Sequence, residues 1–431
     1  MSVRPGRHLH RGRTIPRLAH NGPVNDVFPL LAPLLTDEGQ ALLAVLRDYN
    51  PAQELALATR LRREHSAELV SAALTQARLR QRAVAKFGAE DAHRMLFTPH
   101  GLEQSTRRTV AEYRARRFRD LGPAEVTDLC CGIGGDAIAL VRAGFSVRAV
   151  DRDPLTCETA RFNVHTVAEG TSLMTARCAD VMDWDPANGE SVFIDPARRG
   201  GRGRIFDPEA YSPPLSWAIE AVRTVGTGAI KIAPGIPHEL VPDDFEAEWI
   251  SDEGDVKEAV LWHARGRPQV ITPGARRATL LPSGATLTGR GLPNPDVRKV
   301  GRFLYEPDGA VIRAHLVAEV AEELDGGLID ETIAYITADE LRPTPYAVAY
   351  EITDELPFHL KRLKALLRER EVGNLTVKKR GSAVEPEELR RRVKPSGPNA
   401  ATVFLTRVAG APAMLIGRPA GPVSVTGEPD W

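Results

Sequence analysis

The chain has 431 residues, 42% hydrophobic and 26% charged, enough to bury the cores of two or three domains. Its 56 lysines and arginines against 57 aspartates and glutamates leave a formal net charge of −1, so a polyanionic partner would have to be held by a local patch. No apolar run approaches the roughly 18 residues of a membrane span. Cys130, Cys131, Cys157 and Cys178 form no C-x-x-C and meet no histidine pair, which argues against a zinc site or a disulfide framework.

Residues 1–26 read as a basic, disordered tail. Residues 1–20 carry five arginines and no acid, and they lack the apolar core of a secretion signal; a transit peptide is the alternative to a disordered tail, and a cytoplasmic protein is expected. Helical patterns fill 27–120. Thr36 before Asp37 and Glu38 reads as an N-cap, and Leu42, Leu43 and Leu46 recur at helical spacing. Stretches at 51–65 and 66–87 end before Gly88, and 102–119, "LEQSTRRTVAEYRARRFR", forms an Arg-rich helix. From 121 to 268 strands and helices alternate, predicting a doubly wound, mostly parallel sheet. A connecting region over 269–340 begins with the hairpin "RATLLPSGATLT" and carries a helix at 309–324. An α+β unit over 341–420 holds a strand "YAVAYEI", a helix 357–371, a strand "LTVKK", a helix 386–393 and a terminal hairpin 401–418. Residues 421–431 look like a loose tail.

The stretch "VTDLCCGIGGDAIAL" fits G-x-G-x-x-A at Gly132, Gly134 and Ala137, the nucleotide-loop spacing of a strand–turn–helix. Two ligand classes use such a loop. A dinucleotide would set its pyrophosphate beside Asp128 and Asp136, which repel it. S-adenosylmethionine carries a sulfonium and an amine instead, both cationic, and the carboxylates favour it. Asp128 would bond the amine, Asp151, 19 residues after Gly132, would take the ribose hydroxyls, and Asp180 in "CADV" would accept the adenine amino group. Asp151 alone would equally suit NAD.

"DLCCGIGGDAIAL", "AVDRDP", "CADV" and "FIDPARRGG" in this order resemble class I methyltransferases with a Rossmann-like sheet. From about residue 85 to 418, including "EPDGAVIRA", "DELRPTPYAVAYE", "PFHLKRLK" and "LTVKKRG", the chain resembles the bacterial THUMP-like-domain methyltransferases. The catalytic part is also similar to the cap guanine-amino methyltransferases that make trimethylguanosine, sharing "FTP" (Phe97, Thr98, Pro99) and a cysteine in the glycine loop. These resemblances imply S-adenosylmethionine as cofactor, held by Thr98, Asp128, Cys130, Gly132, Gly134, Gly135, Asp151, Asp180 and Val181, with no metal.

"DPAR" occupies the place of the (D/N)PP-aromatic motif of amino-group methyltransferases, which makes Asp195, Pro196 and Arg198 the catalytic candidates. In that motif the acid and the proline carbonyl accept the hydrogens of an amine and aim its lone pair, an effect of orientation. Ala197 and Arg198 depart from it, replacing the second proline and the aromatic ring. "DPAR" also looks like the DPPR of uracil carbon-5 methyltransferases, but those need a later cysteine nucleophile, and none follows Cys178.

Between 361 and 394 stand 12 Lys or Arg against 5 Glu. Lys361, Lys364 and Arg368 share a helix face, "VKKR" adds Lys378, Lys379 and Arg380, and Arg199 follows the DPAR motif, all RNA-contact candidates. The sequence therefore predicts an RNA methyltransferase acting on an amino or ring nitrogen. Methylation of a small molecule or protein side chain, or a non-catalytic cofactor-binding RNA module, stays open.

Overall fold

The computed structural model describes residues 31–168, 173–186, 190–197, 199–200, 203–204 and 207–420. The two tails and Arg198 lie outside these. Thr36 caps the first helix, α1 (Asp37–Val45), by accepting from the Gly39 amide at 3.0 Å. Leu42, Leu43 and Leu46 are buried against α2 (Glu54–Leu61) and α3 (Ala67–Ala92). The α3 helix continues beyond Gly88, where φ is 76°, so that glycine kinks the helix instead of ending it. The expected helix 102–119 is two, α4 (Pro99–Gln104) and α5 (Arg108–Leu121), parted by residues 105–107.

The alternating segment is β1 (Glu125–Leu129), α6 (Gly135–Arg142), β2 (Ser146–Asp151), α7 (Pro154–Val167), β3 (Met174–Cys178) and β4 (Ser191–Ile194). The two-residue strands β5 (Arg199–Gly200) and β6 (Gly203–Arg204) follow, then α8 (Leu215–Val225), β7 (Thr227–Ile232), β8 (Glu246–Asp252) and β9 (Asp255–Ala264). The hairpin β10 (Arg276–Leu281) and β11 (Ala285–Thr288) joins the same sheet, ordered β11-β10-β8-β9-β7-β4-β1-β2-β3. Only β9 and β11 run antiparallel to their neighbours. The order reverses at β1, flanked by β2 and β4, and the crevice beyond the carboxyl ends of such strands is where open α/β sheets hold ligands. Residues Phe87, Phe97 and Phe118 of the helical region share one buried cluster with Val126, Phe193 and Trp262 of the sheet. Helices α3, α4 and α5 therefore form a layer on this sheet, and α1 and α2 pack outside them on α3.

A second, seven-stranded sheet runs β13-β14-β12-β15-β18-β17-β16. Its members are β12 (Phe303–Pro307), β13 (Gly327–Asp330), β14 (Ile333–Ala338), β15 (Ala347–Pro357), β16 (Val372–Lys379), β17 (Asn399–Val408) and β18 (Ala411–Pro419). Thus 269–340 is no linker: its first hairpin extends one sheet and its later strands build the other. The helix expected at 309–324 is broken into α9 (Gly309–Arg313) and α10 (Val317–Glu323), with His315 at φ 58° between them. Helices α11 (Leu360–Glu369) and α12 (Pro386–Val393) cover one face of the second sheet through Leu363, Leu367, Leu389 and Val393.

Candidate active site

The glycine loop turns back over β2. The amides of Cys130 and Cys131 donate to the Val150 carbonyl at 2.9 and 3.1 Å. Gly134 has φ 86°, and a Cβ there would stand 3.2 Å from Ala160 of α7, so only glycine allows this approach. A Cβ on Gly132 would meet nothing within 4 Å, which leaves its face open to a ligand. Gly135 begins α6. Asp151, at the end of β2, braces the loop by accepting from Gly132 N at 3.0 Å and Asp153 N at 3.1 Å.

Asp128 is 1% exposed, and neither carboxylate oxygen has a hydrogen-bond partner among the described residues. Burial pushes its carboxyl well above the usual range, and the negative charges of Asp136 and Asp195 add to this. An unpartnered buried carboxylate is costly and fits a ligand that brings its own cationic donor. The Cys130 and Cys131 thiols are likewise pushed up by burial and by nearby carboxylates, which disfavours the thiolate form.

Asp180 follows β3, exposed, accepting from Met182 N at 2.9 Å, and Val181 beside it is buried. With β1, β2 and β3 adjacent, Asp128, Asp151 and Asp180 line up along one sheet edge. Thr98 caps α4, its hydroxyl accepting from Gly101 N at 3.0 Å. The strand-like segment before it is tied to the glycine loop by Asn163, whose amide donates to Leu96 O at 3.0 Å and Ile133 O at 2.9 Å.

Asp195 follows β4, and Ala197 pairs with Ser212 through two backbone hydrogen bonds. Pro196 is buried. The carboxylate of Asp195 is held by Lys231 of β7, whose ammonium donates to Oδ2 at 2.6 Å and to Thr106 Oγ1 at 3.0 Å. Thr106 in turn donates to Asp136 at 2.9 Å, and Asp136 is ion-paired with Arg114 of α5. Asp136 is therefore engaged inside the protein by Thr106 and Arg114. The sequence reading also missed Lys231. Its one signal was a lysine inside the apolar run "AIKIA", where burying a charge demands a partner.

Two proteins of Mycobacterium tuberculosis, from strains CDC 1551 and H37Rv, each carry the description uncharacterized S-adenosylmethionine-dependent methyltransferase. Each is 35% identical to this chain over 343 residues, covering 77% of it and 90% of the relative. The chain belongs to this methyltransferase family. The model described as THUMP domain-like matches residues 347–419, and one described as a domain of unknown function matches 29–83. The crystal structure of a candidate methyltransferase from Porphyromonas gingivalis W83 shares the fold, with a TM-score of 0.70 at 20% identity over 90% of this chain and 100% of that one. The protein is thus a class I methyltransferase that uses S-adenosylmethionine, and strands β15 to β18 of its second sheet, with α11 and α12, belong to a THUMP-like unit.

In the methyltransferase the basic C-terminal candidates divide between faces. Lys361 and Arg368 are exposed on α11 without an ion pair among the described residues, and Lys364, half-buried, reaches the Arg392 carbonyl at 3.5 Å. Lys378 and Arg380 point to the opposite face of the sheet. They pair with Glu306 and lie over the Tyr350 and Tyr335 rings at 5.4 and 5.1 Å. Strand alternation explains the split, since Leu375 and Val377 face α11 and α12. Lys379 pairs with Glu385 at 2.5 Å. The basic residues of "VKKR" and those of α11 therefore do not share one surface. The backbone of Arg199 pairs with that of Arg204.

Proposed function

We propose that this methyltransferase modifies an amino or ring nitrogen of a base in RNA. Its substrate would be held in part by the α11 face. The observation that carries the proposal is Asp195. It stands beside the open glycine loop at the switch point of the sheet, with Oδ2 engaged by Lys231 and no described hydrogen bond on Oδ1. That free oxygen suits an acceptor with an N–H to give. The bound cofactor supplies an electrophilic methyl group on a sulfonium. Asp128 would receive its amine, Asp151 and Gly132 its ribose and methionine parts, and Asp180 and Val181 its adenine. Asp195 with the Pro196 carbonyl would hold the acceptor hydrogens and aim the lone pair, so the protein contributes orientation more than proton abstraction. Arg198 and Arg199 would sit beside the flipped base or its phosphates, and Thr98 would close the cofactor pocket from the helical layer.

Methyl transfer from labelled S-adenosylmethionine into total RNA, DNA, protein and small molecules of a strain lacking the gene tests this. Label should enter RNA and survive there as an N-methylated nucleoside after digestion. Label confined to protein or metabolites would overturn the substrate class.

A further inference from the structure

A buried lysine is an odd neighbour for a site that must accept a cationic cofactor. Lys231 is 6% exposed, one residue before the end of the apolar strand β7. The Thr106 hydroxyl has one hydrogen, and Asp136, already ion-paired with Arg114, can only accept. Thr106 therefore donates to Asp136 and accepts from Lys231, which fixes the direction of the whole array. Lys231 donates on one side to Thr106 and on the other to Asp195 Oδ2. Four chain segments meet here: the link between α4 and α5, the first turn of α6, β7, and the end of β4. A carboxylate with two free oxygens offers an acceptor many directions, whereas one clamped through Oδ2 offers a single direction through Oδ1.

We propose that Lys231 is a positioning residue for methyl transfer. It clamps Asp195 so that Oδ1 receives the acceptor N–H, and its charge offsets that carboxylate so that the acceptor side stays near neutral beside a cationic donor. The proposal rests on Asp195 as the acceptor anchor, and not on the acceptor being RNA. In the step it serves, the acceptor nitrogen bonds the methyl carbon and the sulfur–methyl bond breaks with its electron pair left on sulfur. The methylated nitrogen, made acidic by the new bond, gives up one proton to water, while Oδ1 keeps it oriented.

The test compares wild type with Lys231→Met, Asp195→Asn and the double variant. Asparagine keeps an accepting oxygen without the charge, so the double variant removes both charges together. Calorimetry gives the affinities for S-adenosylmethionine and S-adenosylhomocysteine, which differ by the sulfonium charge and need no acceptor. Exposing the Asp195 charge in Lys231→Met should raise the ratio of the two affinities by roughly three- to tenfold, and the double variant should return it to the wild-type value. Single-turnover transfer is measured on whichever fraction of extract from the strain lacking the gene the wild type labels. Lys231→Met should slow it by roughly a hundredfold, and the double variant should recover about tenfold of that loss. Should Lys231→Met fail to fold, Thr106→Val takes no charge from the site and should still slow transfer about tenfold, with Thr106→Ser restoring it. An unchanged affinity ratio across the four proteins, or losses that simply add, would overturn the role. Label in a fraction other than RNA would instead count against the RNA substrate and leave the four-protein comparison intact.

Discussion

Helices α5 and α11 are both amphipathic and rich in arginine or lysine, and they use that charge in opposite directions. In α5, Arg114 is 2% exposed, forked between Asp136 and Glu258, with its guanidinium 4.3 Å over the Phe193 ring. One turn on, Arg117 is forked between Glu246 and Glu248 and lies 4.5 Å over Trp262. Tyr113 adds a hydrogen bond to Glu248 at 2.6 Å. These arginines fasten the helical layer to β8 and β9. In α11 the leucines point inward and the cations outward, toward solvent or a partner. Charge on a helix thus does not announce its purpose. The opposing surface does, and here one surface carries carboxylates and the other is open.

The largest effect should come from breaking the inward set. Arg114→Met would leave Asp136 and Glu258 buried without their cation, and removal of one partner of such a pair costs about 3–5 kcal/mol. Denaturant unfolding should show that loss. A loss below about 1 kcal/mol, the range of exposed pairs, would mean that α5 is held by its apolar face alone.

The next effect concerns the carboxylate that has no such partner. In the proposed role Asp128 has to be ionised to receive a cationic amine, and its carboxyl is held well above the usual range by burial and by Asp136 and Asp195. Affinity for S-adenosylmethionine should therefore fall as pH drops through that raised value, and binding should release a proton, seen as a buffer-dependent heat in calorimetry. Without cofactor the sign reverses. A pKa raised by folding favours the protonated native state, so stability from this group is present at low pH and lost as pH rises through the folded value. Asp128→Asn should weaken cofactor affinity by about ten- to a hundredfold, the equivalent of a charged hydrogen bond of about 1.5–3 kcal/mol, without destabilising the apo protein.

The smallest structural effect should come from the outward set. Replacing Lys361, Lys364 and Arg368 by Gln should move stability by about half a kcal/mol per site or less. If RNA lies along α11, the same change should flatten the slope of log affinity against log salt by about 2, from roughly 0.7 per phosphate contact. An unchanged slope with cofactor binding intact would make α11 a solvated face.

Much of the strand–loop–helix framework was legible because its signals are local. The glycine spacing, the strand-end acids Asp128, Asp151 and Asp180, and the Thr36 cap each lie within a few residues of the element they mark. The strand β8 is hard to read from sequence for a physical reason: "EAEWISD" carries Glu246 and Glu248, which look like surface residues, yet the whole strand is buried and Arg117, Tyr113 and Trp262 satisfy those two carboxylates. Lys231 and Thr106 stood 36 and 89 positions from Asp195, and they meet it only through the pairing of β4 with β7 and the packing of the α4–α5 link against β7. The same nonlocality hid the fate of Lys378 and Arg380, whose partner Glu306 comes from β12.

The central claim, nitrogen methylation of RNA directed by Asp195, is met most directly by mass spectrometry of nucleosides. RNA would come from a strain lacking the gene and from the same strain carrying the wild type or Asp195→Ala. The account predicts that one N-methylated nucleoside disappears in the absence of the gene and returns with the wild type. It should stay missing with Asp195→Ala, although that variant binds S-adenosylmethionine within a few-fold of normal. An identical nucleoside profile in all three strains, or full restoration by Asp195→Ala, would contradict it.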